Sequence, residues 1–435
     1  MDFKSDSKLR SLAIKNNAQD RQDRDDITRL LDVNDLTYTM PRNLSVVAAR
    51  NQKKYTFQRS EYSDTSGSMI CTLQTGAQYI DWRNSYLKFG LTVVNGGSGN
   101  WHFGLGSATN LFREIIISSR SGVEIDRITR LNLLRLHHDR VHMSGEELAS
   151  VGSLMGYFDY DTATTAPTSV APTVGFTDNV KYNFVIPMNK LSGFFDSPKL
   201  CPSHLASGLR IELVLESKTT AIQVQAADVV NSYTISDPEI QCDTFLLNDD
   251  STRKLNEISA RNGLEYVFQS WHMTSDSKTG DQFNIDTNKA VSRALGAFAV
   301  SRLTASITDG TLDSLASEAD YPVNRTQFRL GSEYYPQHYT ERDSDQFFNT
   351  LYANEKLHSR NPSSLSQAQF IAALWQVDAN LERSTVLALT GLPINNSRAL
   401  SFDIQFSGSA SREVNVFLQY VVLARCYINN VSVVE

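Results

Sequence analysis

Cysteine is scarce in this chain and poorly placed for its usual structural roles. Among 435 residues there are four, Cys71, Cys201, Cys242 and Cys426. They are scattered and form no CxxC pair, which speaks against a zinc knuckle and against a disulfide framework. Reduced thiols are the expectation, as in a protein made in the cytosol. Long hydrophobic runs are missing as well. No stretch approaches the roughly 20 apolar residues of a membrane span. The opening stretch MDFKSDSKLRSLAIKNNAQDRQD has no apolar core of signal-peptide length. Synthesis in the cytoplasm, with neither a signal peptide nor a transmembrane segment, is therefore expected.

Signatures of catalysis are missing too. There is no GxxxxGK[ST] loop and no GxSxG elbow. The stretch FGLGSATN carries two glycines spaced as a dinucleotide loop begins but lacks the third, and a turn between strands accounts for it better. In LHHDRVH, His138 and His142 stand four apart and would share a helix face. A zinc site of this kind needs the HExxH glutamate or a remote third ligand, and neither accompanies them. Adjacent carboxylates such as Asp25/Asp26 and Asp249/Asp250 fall in polar stretches, with no argument for a glycosidase pair. No enzyme, no cofactor, no metal and no small-molecule substrate are expected.

What the chain does have is alternation. Aromatic residues, mostly Tyr and Phe, make up 10% of it, a share that favours strands. The segment LFREIIISSRSGVEIDRI, Leu111 to Ile128, reads as a strand, a tight turn at 119–122 and a second strand. Phe112, Glu114 and Ile116 would face one way, and Arg113, Ile115 and Ile117 the other. With isoleucine on both faces, Ile115, Ile116, Ile117, Val123 and Ile125 are expected core residues of a sandwich. Leu213 and Leu215, from the alternating LRIELVLES, join them.

Three regions follow. Residues 1–54 are polar and charge-mixed, and read as an extended N-terminal arm ordered by partners. Lys and Arg outnumber Asp and Glu before residue 60, although the whole chain carries a net charge of -7. Arg50, Lys53, Lys54 and Arg59, interleaved with aromatics in RNQKKYTFQR, suit either a charged lead-in to the first strand or an inward-facing arm. Residues 55–255 and 256–435 form two strand-rich blocks, each interrupted by helical or loop insertions near 156–180 and 305–400. Leu131, Leu134, Val141 and Leu148 mark a helix in the first block. Few helices and no strand–helix alternation indicate two β-sandwiches.

Three stretches carry a family resemblance: YLKFGLTVV with LFREIIISSRSGVEIDRI and LNLL; FVIPMNKLSGFFDSPKLCPSHLASGLRIELVLE at 184–216; and FRLGSEYYPQ at 328–337. In order and strand character the chain from 55 to 435 resembles double jelly-roll major capsid proteins, most closely those of polinton-like viruses and virophages. The resemblance implies an all-β chain of two consecutive eight-stranded jelly rolls, a double jelly roll with helical and loop insertions. It implies a homotrimeric, pseudo-hexameric capsomer that meets neighbouring capsomers, penton proteins and minor capsid or cement proteins in an icosahedral virion around DNA. The arm would then contact packaged DNA or an inner layer. Phe347, Phe348, Tyr352, Phe370 and Trp375, in the second-block insertion, are expected to bury themselves against their own sandwich or a trimer neighbour. The competing reading is a glycan-binding spike or adhesin of two sandwiches, with Tyr334, Tyr335 and Tyr339 exposed for sugar stacking.

Overall fold

The computed structural model describes residues 46–435 apart from 98, 158–174, 198, 225–227, 288, 308, 310–314, 316–322, 358, 360, 382–390, 396–397 and 428–430. Most of the expected arm and most of the 156–180 loop lie outside the described residues.

The first block contributes strands β1 Val47–Thr56, β2 Ser68–Thr72, β3 Tyr79–Asn95, β4 Phe112–Ser118, β5 Glu124–Thr129, β6 Lys181–Pro187, β7 Arg210–Leu215 and β8 Val230–Leu247. One sheet has the order β1-β8-β3-β6 and the facing sheet β2-β7-β4-β5. All these pairings are antiparallel. Chain neighbours thus sit in opposite sheets for much of the block, the arrangement of a jelly roll.

The second block contributes β9 Leu264–Asp286, β10 Val291–Leu303, β11 Val323–Leu330, β12 Glu333–Thr340, β13 Val377–Asn380 and β14 Leu400–Cys426. Here β9 and β14 pair along almost their whole length, except where Gly280 faces Ala410 and Gln282 faces Gln405. That slip puts one residue of β9 opposite four of β14, and a bulge of this kind bends both strands. On one side of it, β14 pairs with β11 and β11 with β12. On the other, β14 pairs with β10 and β10 with β13. With β9 and β14 each divided at the bulge, the pairing scheme of the first roll recurs in the second.

The β4–β5 hairpin corrects part of the expected core. The β4–β7 register shifts between Phe112 and Glu114, which changes the phase of alternation. Phe112, Ile115 and Ile117 are all fully buried, with Ile115 opposite Leu213 and Ile117 opposite Ile211. Ile116 turns to the half-exposed face, between Arg127 and Glu212. Val123 is also only half-buried, because it leaves the 119–122 turn just before β5 begins. Ile125, Leu213 and Leu215 are buried.

Strand β1 corrects the boundary at 54. It begins at Val47 and runs antiparallel to β8 from Val47 opposite Leu247 to Thr56 opposite Glu239. The last eight residues of the expected arm are therefore an edge strand of the first roll. Near the expected boundary at 255, helix α2, Asp249–Arg261, links the rolls. Asn248 caps it by accepting a hydrogen bond from the Ser251 amide at 2.8 Å, and Asp249 and Asp250 occupy its positive end.

Candidate functional site: the seam between the rolls and the second-roll surface

The seam between the rolls is built on helix α1, Leu131–His142, which leaves β5 through Arg130. Arg130 sits in the left-handed region at φ 52°, which turns the chain sharply from strand into helix. Its guanidinium lies 3.9 Å from Glu216 of the first roll and 3.6 Å from Glu413 of the second. Glu413 also pairs with Arg302 at 3.2 Å, and Arg302 is 1% exposed. Asn132 donates to Glu216 at 3.0 Å. Buried charges of this kind persist only when paired and hydrogen-bonded, so the network commits the two rolls to one arrangement.

A second polar contact crosses the seam at Asp126. The hydroxyls of Ser192, in the first roll, and Ser270, on β9, both donate to its carboxylate. Burial pushes this carboxyl up to about 6, against the pull of those hydroxyls. Beside it, Gly193 packs directly on β9: a Cβ there would lie 2.1 Å from the Gln269 carbonyl oxygen, so no other residue fits. Tyr266 donates to the Phe194 carbonyl at 2.9 Å. The Phe194 ring meets Phe268 edge-on with centroids 5.3 Å apart, and Phe195 meets Trp82 at 4.7 Å.

At the far end of α1 the second-roll insertion takes hold. Lys356 donates to the His142 carbonyl at 2.7 Å, and the Ser364 amide donates to the Met143 carbonyl at 3.0 Å. His138 stacks on His142 with centroids 3.9 Å apart and meets the Trp271 edge at 5.6 Å. Burial depresses the pKa of both imidazoles, and that of His137 to about 3. Burial opposes ionisation of Asp139, but Lys190, His138 and Arg135 together hold its carboxyl well below the usual range. The histidines are thus packed into the seam. Among the described residues no group of three or more His, Cys, Asp or Glu is arranged to hold a metal. All four cysteines are buried free thiols, with burial pushing those of Cys71, Cys242 and Cys426 up to about 12.

The basic run at the start of the first roll is engaged with its own sheet. Arg50 forms an ion pair with Asp243 and lies over the Phe245 ring, and Lys54 pairs with Glu239 at 3.3 Å. Lys53 is half-buried, and Arg59 is exposed. Two of the four expected arm cations are thereby partnered on β8, a pairing that alternation alone did not signal.

The insertion of the second roll divides its aromatics between two environments. Helix α3, Asp343–Ala353, and helix α4, Gln367–Ala373, cover the side of the roll. Phe370 is fully buried and Trp375 nearly so. Trp375 donates to the Gln346 side-chain amide oxygen, and Phe347 packs on Phe370 with centroids 5.2 Å apart. Phe348 and Tyr352 point outward, stacked on each other and about half exposed. Edge strand β12 is exposed along seven of its eight residues, including Tyr334, Tyr335 and Tyr339.

Two rolls of one pairing scheme joined along a buried seam define a double jelly roll. The chain is similar in fold to the PBCV-1 virus capsid protein, with a TM-score of 0.61, 8% identity, and 92% of this chain and 99% of that one covered. It is similar to a chain in the structure of the Sputnik virophage, at 0.60, 8%, 92% and 91%. The mavirus major capsid protein aligns at 0.53, with 10% identity and 92% of each chain covered. No family model and no curated protein matches the sequence.

Proposed function

We propose that the chain is the major capsid protein of a virus, a structural building block of the virion with no catalytic role. The observation that carries this reading is the doubled jelly roll welded along a charged and aromatic seam, alignable over nine-tenths of its length with capsid proteins of several viruses. A wall subunit must hold two sandwiches rigidly at a fixed angle, and the Asp126, Glu413 and Gly193 contacts do that. In this reading three chains associate into a pseudo-hexagonal capsomer, because two like rolls per chain present six similar lobes per trimer. Capsomers then tile an icosahedral shell around DNA with penton and minor capsid proteins. Residues 1–46 reach neighbours, packaged DNA or an inner layer. The outward Phe348 lies at a contact between chains, whereas Phe370 and Trp375 act within their own.

Light scattering coupled to size exclusion tests the assembly. The wild-type chain should elute at three chain masses, and Phe348→Ser should shift the population toward monomer while keeping the wild-type circular dichroism. A wild-type chain that stays monomeric at micromolar concentration would overturn the trimer.

A further inference from the structure

Between α3 and the edges of the second roll lies a cavity of about 480 Å³. Its volume falls in the range of small-molecule sites, roughly 300–1,000 Å³. The chemistry of its wall is selective. Five carboxamides line it, from Gln327, Gln346, Asn349, Gln376 and Asn380, together with the Asp378 carboxylate, and no Lys, Arg or His is among the described lining residues. Three of the amides are held in place through their nitrogens: Gln327 donates to the Pro336 carbonyl at 2.7 Å, Asn349 to the Thr340 hydroxyl at 3.2 Å, and Gln376 to both Asp378 oxygens at 3.0 Å. Gln346 is 3% exposed, and its amide nitrogen has no partner among the described residues. A buried donor without an acceptor is costly, and one on a cavity wall points to something that fills the space. Exposed Tyr335 and Tyr352 also line the cavity, so aromatic faces lie where it meets the surface.

We propose that this cavity binds a neutral saccharide of one or two pyranose rings, with its hydroxyls on the carboxamides and Gln346 and its C–H face on Tyr352 and Tyr335. The Asp378 carboxylate, with no cation among the described lining residues, disfavours sialic acid, sulfate and phosphate. The amides on the wall, Gln346 above all, disfavour a hydrocarbon chain, which would strand them. The site does not depend on the capsid reading. A chain that assembles but binds no sugar loses this inference alone, and a sugar-binding monomer loses only the assembly.

The test is saturation-transfer NMR and titration of the full chain with methyl glycosides of glucose, galactose, mannose and N-acetylglucosamine, alongside sialyllactose and 1-octanol. At least one neutral glycoside should bind. Tyr352→Ala should weaken that glycoside by about tenfold, the loss of one aromatic stacking contact, and Gln346→Leu should weaken it further. Both variants are checked against wild type by circular dichroism. If Gln346→Leu is misfolded, the exposed Tyr352→Ala decides by itself. The inference is overturned if no neutral glycoside binds, if binding survives Tyr352→Ala unchanged, or if sialyllactose or octanol is preferred.

Discussion

At the scale of single residues, the β4 strand shows how one irregularity changes what a substitution does. Ile117 is fully buried opposite Ile211, whereas Ile116 lies on the half-exposed face between Arg127 and Glu212. A carboxylate at 117 would be buried without a cation, a cost of more than about 3 kcal/mol. Ile117→Asp should therefore be lost to the insoluble fraction, while Ile116→Asp should express solubly with a moderately lowered melting temperature. Equal yields of the two variants would contradict the phase of the strand. The seam supplies a second residue-scale test, through pH. Asp126 has its carboxyl raised to about 6 from 3.8, so the folded chain holds that proton more tightly than the unfolded chain does. This group adds stability at acid pH and loses it as pH rises through 6. The depressed imidazoles of His102, His137, His138 and His142 act oppositely: their contribution is present above the ordinary histidine value and is lost as pH falls below it. Four such groups outweigh one, so the melting temperature should fall from pH 7 to pH 5. Asp126→Asn should raise it at pH 7 and steepen the fall. A shallower fall in the variant would reverse the sign assigned to Asp126.

At the scale of elements, legibility depended on whether a strand's face showed in its residue types. The alternation of Val414, Val416, Leu418 and Tyr420 is legible because these core positions are all apolar, and all four are buried. Strand β1 was hidden because its outward positions carry Arg50, Gln52 and Lys54 and its inward ones include Lys53, so the run looks like solvated chain. What orders it is the main-chain ladder to β8, to which side-chain pattern is blind. The break dividing β9 and β14 was likewise unreadable, since a bulge inserts residues without altering composition. Helix α1 is legible from the spacing of Leu131, Leu134 and Val141, but the burial of its polar residues is not. His137, Asp139 and Arg140 are buried because the helix is enclosed by both rolls. In the insertion, the sequence picked out the aromatics but not which of them turn inward, because that depends on how α3 and α4 sit on the roll. The cavity was not legible at all, as its amides come from β11, α3, β13 and Gln376 just before β13. A truncation tests the status of β1. Removing residues 1–45 should leave solubility and melting temperature near wild type, whereas removing 1–54 strips most of β1 from β8 and exposes a long unpaired edge. The longer deletion should aggregate. If it stayed soluble with an unchanged melting temperature, the segment would be an arm after all.

At the scale of the whole molecule, the account rests on repetition. One pairing scheme occurs twice, and the copies are joined by α1, by the Gly193–Phe195 turn on β9 and by the ion pairs around Glu413. The hydrophobic core runs through both rolls as one cluster, so residues 47–435 form one compact unit built of two similar rolls. In the proposed reading, three such chains around an axis would give a six-lobed unit able to tile a surface, which is why a shell subunit would double the roll in one chain. Electron microscopy of the purified chain, imaged at rising protein concentration, tests this most directly. The account predicts particles of pseudo-hexagonal outline, three chains each, that join edge to edge into sheets or closed shells. Isolated two-lobed monomers at every concentration, with no six-lobed particle among them, would contradict it.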